Sequence, residues 1–290
     1  MRKLLIQLDT AQHPSVFDRV VAFDAGAGEV LSYGAITVEA VRDLVFGAIF
    51  TRAPKELRNT AAFIGGSDIA VGERILAAAQ KAFMGPLRVS VMLDSNGSNT
   101  TAVAAAAKLT QSIADVRGVR VVIVGGAGPV GSRTAGLLAK AGANVTITSP
   151  WPDQAEKAAR EIDQRFSADV KLATLSDSSH AAKVLEGAEL LLNASKAGVR
   201  MVPRSAWSNR QGLRVAGDLN AVPPLGIEGI ELNDDGDERD GVRVFGALAI
   251  GTLKMKIHKA CIARLFEQND LILDAESISI VARELAASAT

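Results

Sequence analysis

Residues 119–149 read VRVVIVGGAGPVGSRTAGLLAKAGANVTITS. The apolar lead, Val119 and then Val121 to Val124, has the pattern of a buried parallel strand. Gly126-x-Gly128-x-x-Gly131 follows. A helix-period run over residues 130–141 comes next, and Gly142 ends it where a glycine just past a helix belongs. Residues 145–148 read as a second strand. Strand, glycine turn, helix and strand within about thirty residues is the setting that a dinucleotide fingerprint requires. Gly126 is expected to make the tight turn. Gly128, lacking a β-carbon, lets the backbone approach a pyrophosphate, and Gly131 lets the helix lie close on the sheet. The helix that starts at Pro129 offers free amides from Val130 onward, and a positive dipole end, to phosphates. The plainer alternative is a glycine-tolerant turn in a fold without a cofactor.

Working outward, the chain has 290 residues, enough for one large domain or two ordinary ones. Apolar residues make up 48% and charged residues 22%, the balance of a globular protein with a sizeable core. Basic and acidic residues are equal at 32 each, so no excess charge points to nucleic acid or to an anionic membrane. Cys261 is the one cysteine, which excludes an internal disulfide and a cysteine metal cluster. His13, His180 and His258 lack metal-ligand spacing, so no metal is expected. The opening MRKLLIQLDT turns polar too soon for a signal peptide, and no apolar run reaches membrane-spanning length. A cytoplasmic protein is the expectation.

Before the fingerprint, residues 3–8, 60–64 and 88–93 read as strands. Helical patterns cover residues 16 onward (Ser15 as cap), 38–50 (after Thr37) and 68–83 (Asp68 first). Alternation of this kind argues an open α/β domain. After the fingerprint come a helix at 152–166, a strand at 170–173, a short helix at 178–185 and a strand at 189–193. A short helix starts at Pro203, and a further strand covers 214–216, an order suited to a doubly wound sheet. The acidic run 233–240 reads as a solvated loop or hairpin tip. Residues 246–266 and 274–287 read as helices. The expected architecture is two open α/β domains, the second of Rossmann type, with C-terminal helices packing back on the first. The expected boundaries are 1–112 for substrate binding, 113–243 for the dinucleotide and 244–290 for the returning helices.

Two further stretches could carry chemistry. Asp94-Ser95-Asn96-Gly97-Ser98-Asn99-Thr100-Thr101 joins a strand end to an alanine-rich helix. A helix cap needs one such polar residue, so the surplus reads as a binding site, with Asp94, Ser95, Asn96, Asn99 and Thr100 as candidate contacts. Lys254 and His258 stand four apart, on one face of the last long helix. They could bind an anionic or carbonyl-bearing substrate, or they could form a solvated basic face. At the fingerprint's second strand, Thr148 and Ser149 occupy the tip where an NAD site usually has an acid. Two hydroxyls without a carboxylate favour NADP, and NAD stays open. Asn193 and Ala194, with Asp218 and Asn220, sit at later strand ends and complete the candidate cofactor contacts.

The stretches LDTAQHPSVFD (8–18), DSNGSNTT (94–101), GGAGPVG (125–131), NAVPPLGIEGI (220–230) and FGALAIGTLKMKIHKACIARLF (245–266) occur together in this order. With them the chain resembles the bacterial methylene-tetrahydromethanopterin dehydrogenases, most closely the NADP-dependent type that also uses methylene-tetrahydrofolate. The resemblance covers essentially the whole chain. It implies two α/β domains with a cleft between them, completed by a neighbouring subunit of a homo-oligomer such as a trimer. It places the family's active-site phenylalanine on Phe17, its threonine on Thr101, and its lysine and histidine on Lys254 and His258. The family's arginine after the second nucleotide strand is replaced here by Pro150 and Trp151, which leaves dual use of NAD open.

The implied reaction is oxidation of a methylene bridge between two nitrogens, on a reduced pterin one-carbon carrier, to the methenyl cation. Phe17 would pack on the pterin and Thr101 would hydrogen-bond it, while Lys254 and His258 would position it. A protonated lysine beside a growing cation is unfavourable, so Lys254 would contact an acceptor group or lose its proton on desolvation. Two other readings compete. A non-enzymatic NADP-binding sensor would need only the fingerprint. A shikimate-type dehydrogenase would need a catalytic lysine and aspartate in the first domain, where Lys55 has no evident partner.

Overall fold

A computed structural model describes residues 1–288. The described residues form two compact units, residues 1–100 with 255–288, and residues 101–254. The division falls inside two helices, Ser98–Thr110 and Ala247–Arg264, whereas the sequence suggests boundaries near 112 and 243.

The first unit begins with β1 (Leu4–Asp9), α1 (Val16–Asp24), β2 (Glu29–Tyr33) and α2 (Val41–Ile49). It continues through β3 (Thr60–Gly65), α3 (Ile69–Ala82), β4 (Ser90–Leu93) and the start of α4 (Ser98–Thr110). Helix starts follow the chemistry of their caps. Ser15 Oγ accepts from the Asp18 amide and Asp68 from the Val71 amide, each worth about 1 kcal/mol. The expected helix at 38–50 is shorter, because Ala40 at its start has no side chain with which to cap it. β2 carries no strand signal in the sequence. It is a five-residue edge strand with Leu31 and Tyr33 exposed, and β1 is its one strand partner.

The second unit carries the rest of α4, then β5 (Arg120–Val124), α5 (Pro129–Lys140), β6 (Asn144–Ser149), α6 (Pro152–Phe166) and β7 (Lys171–Thr174). After these come α7 (Ala181–Val184), β8 (Leu190–Asn193), α8 (Arg204–Trp207), β9 (Val215–Asp218), β10 (Asp235–Arg239) and β11 (Val242–Phe245). The acidic run is mostly strand. β10 pairs antiparallel with β11 through Arg239 and Val242, and the two-residue turn Asp240-Gly241 has both φ angles positive. That is the hairpin preference of an Asp-Gly pair, and the charges suit an exposed sheet edge. The seven strands lie in the order β10-β11-β9-β8-β5-β6-β7, parallel except at that hairpin. Leu191, Ala216, Val244 and the fully buried Trp207 share the core on one face.

Helix α9 (Ala247–Arg264) crosses the division at 254/255, and β12 (Ile272–Leu273) and α10 (Ala275–Ala287) end the chain. β12 pairs with β4, so the first sheet is wholly parallel in the order β12-β4-β3-β1-β2. Two residues are too few for a strand signal, and this pairing is a product of tertiary structure.

Candidate functional site

In the second unit, β5 ends at Val124 and the chain turns at Gly125, not at Gly126 as expected. Gly125 has φ +71°, and a β-carbon there would stand 2.5 Å from the Ser195 Cα. Gly126 serves packing instead, since its β-carbon would fall 2.6 Å from that of Ile147 on β6. At Gly131 the close approach is to the turn itself, 2.7 Å from the Gly126 Cα. Gly128 is different. It is the N-cap of α5, and a β-carbon there would meet only the Gly125 carbonyl, at 3.3 Å. The space beside it is open. Pro129 occupies the first helical position, and the first intrahelical bond runs from the Ser132 amide to the Gly128 carbonyl at 2.8 Å. The Val130 and Gly131 amides therefore precede the helical ladder. A backbone bare of β-carbons beside free helix amides fits a pyrophosphate.

The tip of β6 is built into this turn. Thr148 Oγ1 accepts from the Gly125 amide at 3.2 Å, and Ser149 Oγ accepts from the Trp151 amide at 3.1 Å. Both residues are buried, while Trp151 is 61% exposed at the start of α6. Each hydroxyl accepts one amide and retains its own proton.

At the ends of β8 and β9 the expected cofactor residues bond largely to one another. Asn193 Nδ2 donates to Asp218 Oδ1 at 2.8 Å, and Asn193 Oδ1 accepts from Ser195 Oγ at 2.7 Å. Asp218 also accepts from the Asn220 amide at 2.9 Å and the Ile227 amide at 2.8 Å. Asn220 Oδ1 accepts from the Gly198 and Val222 amides, and its Nδ2 donates to the Pro224 carbonyl. The Ala194 amide extends the ladder to the Val124 carbonyl. Burial pushes the Asp218 carboxyl above its ordinary value, against the lowering effect of the hydrogen bonds it receives. These side chains hold two strand ends and the 220–227 loop together.

In the first unit, the polar stretch after β4 is mostly turned inward. Asp94 Oδ1 accepts from the Asn99 and Thr100 amides at 2.9 and 3.0 Å, and Oδ2 accepts from Thr100 Oγ1 at 2.6 Å. Ser95 Oγ donates to the Gly65 carbonyl, and Asn99 Nδ2 donates to the Leu93 carbonyl. Asp94, Ser95, Asn99 and Thr100 are buried, so their surplus polarity goes into the strand-to-helix junction. Asn96, left-handed at φ 53°, is exposed, and Thr101 is half-buried.

Beside this junction, on α9, lies His258. Its ring is stacked on Phe63, with centroids 5.5 Å apart and planes at 18°. Phe17 lies against it at 6.3 Å and 52°, and half of Phe17 is exposed. His258 Nδ1 is 4.0 Å from Asp94 Oδ2. His258 itself has no exposed surface, so in this conformation the accessible ring is that of Phe17. The structure thus gathers Phe17, Asp94, Thr100 and His258, and adds Phe63, which sequence reasoning misses because it looks like any core aromatic of a buried strand. Lys254 is half-buried one helical turn before His258. Lys55 is exposed in a short 3-10 turn. Among the described residues no three His, Cys, Asp or Glu side chains are grouped to hold a metal ion, and no helix is long and apolar enough to cross a membrane.

Residues 16–96 match the model of the methylene-tetrahydromethanopterin dehydrogenase N-terminal domain, and residues 113–200 match a putative NAD(P)-binding domain. The bifunctional protein MdtA of Methylorubrum extorquens is 46% identical over 98% of this chain and 99% of its own. The NAD(P)-dependent methylenetetrahydromethanopterin dehydrogenase of the same organism is 33% identical over 98% and 99%. Among solved structures, shikimate 5-dehydrogenase from Listeria monocytogenes is similar with a TM-score of 0.55 at 14% identity, over 98% of this chain and 96% of that one. That likeness is one of fold alone. With the fingerprint built as above and relatives matching from end to end, the chain belongs to the methylene-tetrahydromethanopterin dehydrogenase family.

Proposed function

We propose that this protein is an NAD(P)-dependent oxidoreductase of one-carbon metabolism that oxidises methylene-tetrahydromethanopterin to the methenyl form, with methylene-tetrahydrofolate as a second substrate. The observation that carries this is the match along the whole length of the chain, not along the nucleotide unit alone, to a relative named NAD(P)-dependent methylenetetrahydromethanopterin dehydrogenase. The bridge carbon gives up a hydride, two electrons and one proton, and the flanking nitrogen lone pairs delocalise the cation that remains. No base has to remove a proton from carbon. When bound, the nicotinamide supplies the hydride acceptor.

The chain's own work is then orientation and electrostatics. Gly128 and the Val130 and Gly131 amides hold the pyrophosphate. Thr148 and Ser149, with no carboxylate at the strand tip, admit a 2′-phosphate and favour NADP over NAD. The half-exposed ring of Phe17 packs on the flat pterin. Thr101 and Lys254 contact its polar groups, and His258 acts from beneath Phe17. The family resemblance also supports a cytoplasmic homo-oligomer, with a trimer as its expected form.

A steady-state assay with both methylene pterins and both nicotinamides tests this. Pterin-dependent reduction of NADP is expected. Tight dinucleotide binding without hydride transfer from either pterin would favour the sensor reading instead.

A further inference from the structure

The residue that ties the pterin side together is not one that touches solvent. Asp94 is 1% exposed and sits at the junction of β4 and α4. One of its oxygens takes the first amides of α4, at Asn99 and Thr100, and the other takes the Thr100 hydroxyl. The oxygen that binds the Thr100 hydroxyl also lies 4.0 Å from His258 Nδ1. Phe63 covers one face of that imidazole, and Phe17 meets it at an angle.

We infer that Asp94 is a positioning residue for the pterin site, orienting the imidazole of His258 on one side and setting the start of the helix that bears Thr101 on the other. This rests on the functional reading above, in which Phe17 and Thr101 meet the pterin. The physical reasons are separate from it. A carboxylate beside Nδ1 favours the tautomer that carries its proton there and lowers the energy of one ring orientation over its flip. The stack on Phe63 restricts the remaining rotation. Phe17 rests on the ring so held, and its exposed half is therefore presented in one attitude. A capping aspartate alone would need only the two amides. The Thr100 hydroxyl and the nearby imidazole are what an N-cap does not require.

The chain has three histidines, so nitrogen NMR of the ¹⁵N-histidine-labelled protein resolves His258 by comparison with His13→Gln and His180→Gln. In the wild-type protein a proton on Nδ1 is expected. A neutral ring protonated at Nε2 alone would overturn the inference, whatever the activity. Asp94→Asn keeps an acceptor for the amides but removes the charge. It should change the His258 ring shifts and lower kcat with the pterin by about ten- to a hundredfold, with dinucleotide affinity unchanged by calorimetry. Thr100→Val, which keeps both the charge and the amide bonds, should leave the ring shifts near wild type. Wild-type shifts and kcat in Asp94→Asn would also overturn the inference. Correct shifts in a protein inactive with every pterin would leave the orientation of His258 standing and remove only the functional reading.

Discussion

The side-chain amide of Asn193 donates to the carboxylate of Asp218 at 2.8 Å, joining the ends of β8 and β9. A β-carbon on Gly226 would fall 1.8 Å from that same Asn193 nitrogen, so the 220–227 loop closes directly onto the pair. Replacing Asp218 by Ala would leave the Asn193 amide and the Asn220 and Ile227 backbone amides without their buried acceptor. A loss of about 3 kcal/mol or more is expected, read by denaturant unfolding. A fully stable variant with weakened dinucleotide binding would instead make Asp218 a direct cofactor contact.

The fingerprint glycines should separate by experiment. Gly128→Val places a branched side chain in open space, so the protein should fold and lose dinucleotide affinity in calorimetric titration. Gly126→Val would drive a side chain into Ile147 and should destabilise the fold by about 1–3 kcal/mol or more. Unchanged affinity in folded Gly128→Val would remove the pyrophosphate from α5.

Cofactor choice should respond to charge at the tip of β6. NADP is expected to exceed NAD in kcat/KM. An aspartate at position 149 can still accept from the Trp151 amide, but the site is buried, so Ser149→Asp should lose some stability, read by thermal unfolding alongside the kinetics. Its charge would repel the 2′-phosphate and shift the ratio toward NAD by about tenfold, or ~1.4 kcal/mol. A wild-type protein that prefers NAD strongly would rule out this role for Thr148 and Ser149.

Much of the architecture is legible in the amino-acid sequence. The fingerprint strand and helix can be read there because period and glycine spacing are local properties. The capped starts of α1 and α3 are legible for the same reason. β2 and β12 are not, because one is a half-exposed edge and the other has two residues, both made strands by their neighbours. The polar run 94–101 is legible as unusual but not in its purpose. Sequence cannot tell a side chain aimed at a ligand from one that accepts amides at its own junction. The closeness of Asp94 to His258 spans too many residues for any spacing argument.

Lys254 and His258 share a helix face but should fail differently. Lys254→Ala should lower kcat with the pterin at little cost in stability, since the lysine is half-buried. His258→Ala should lower kcat and also cost about 2–4 kcal/mol, because it opens a cavity between Phe63 and Phe17 beside a buried carboxylate. Steady-state kinetics with thermal unfolding checks both. Wild-type kinetics in each would take the pair out of the pterin site.

Burial, and after it the charge of Asp94, pushes the Cys261 thiol up to about 12 from an ordinary 9.0. The native protein should therefore resist thiol-directed reagents at neutral pH and react only on unfolding. Below pH 9 the thiol is protonated in both states and contributes no pH dependence. Between 9 and about 12 the unfolded chain releases a proton that the folded one keeps, so stability falls by up to ~1.4 kcal/mol per pH unit. Rapid labelling of the native protein at pH 7 would contradict the burial.

The first sheet takes one of its edge strands from beyond residue 254, β12 beside β4, whereas residues 101–254 form one uninterrupted unit. Order of manufacture follows. On a ribosome the nucleotide-binding unit is complete while the segment holding the rest of α9, β12 and α10 has yet to emerge, and β4 waits with one edge unpaired. The half with the earlier start is the later to close. A chain released before residue 272 is made would have a finished dinucleotide fold and an open sheet edge, a species suited to chaperone capture and prone to pairing with its own kind.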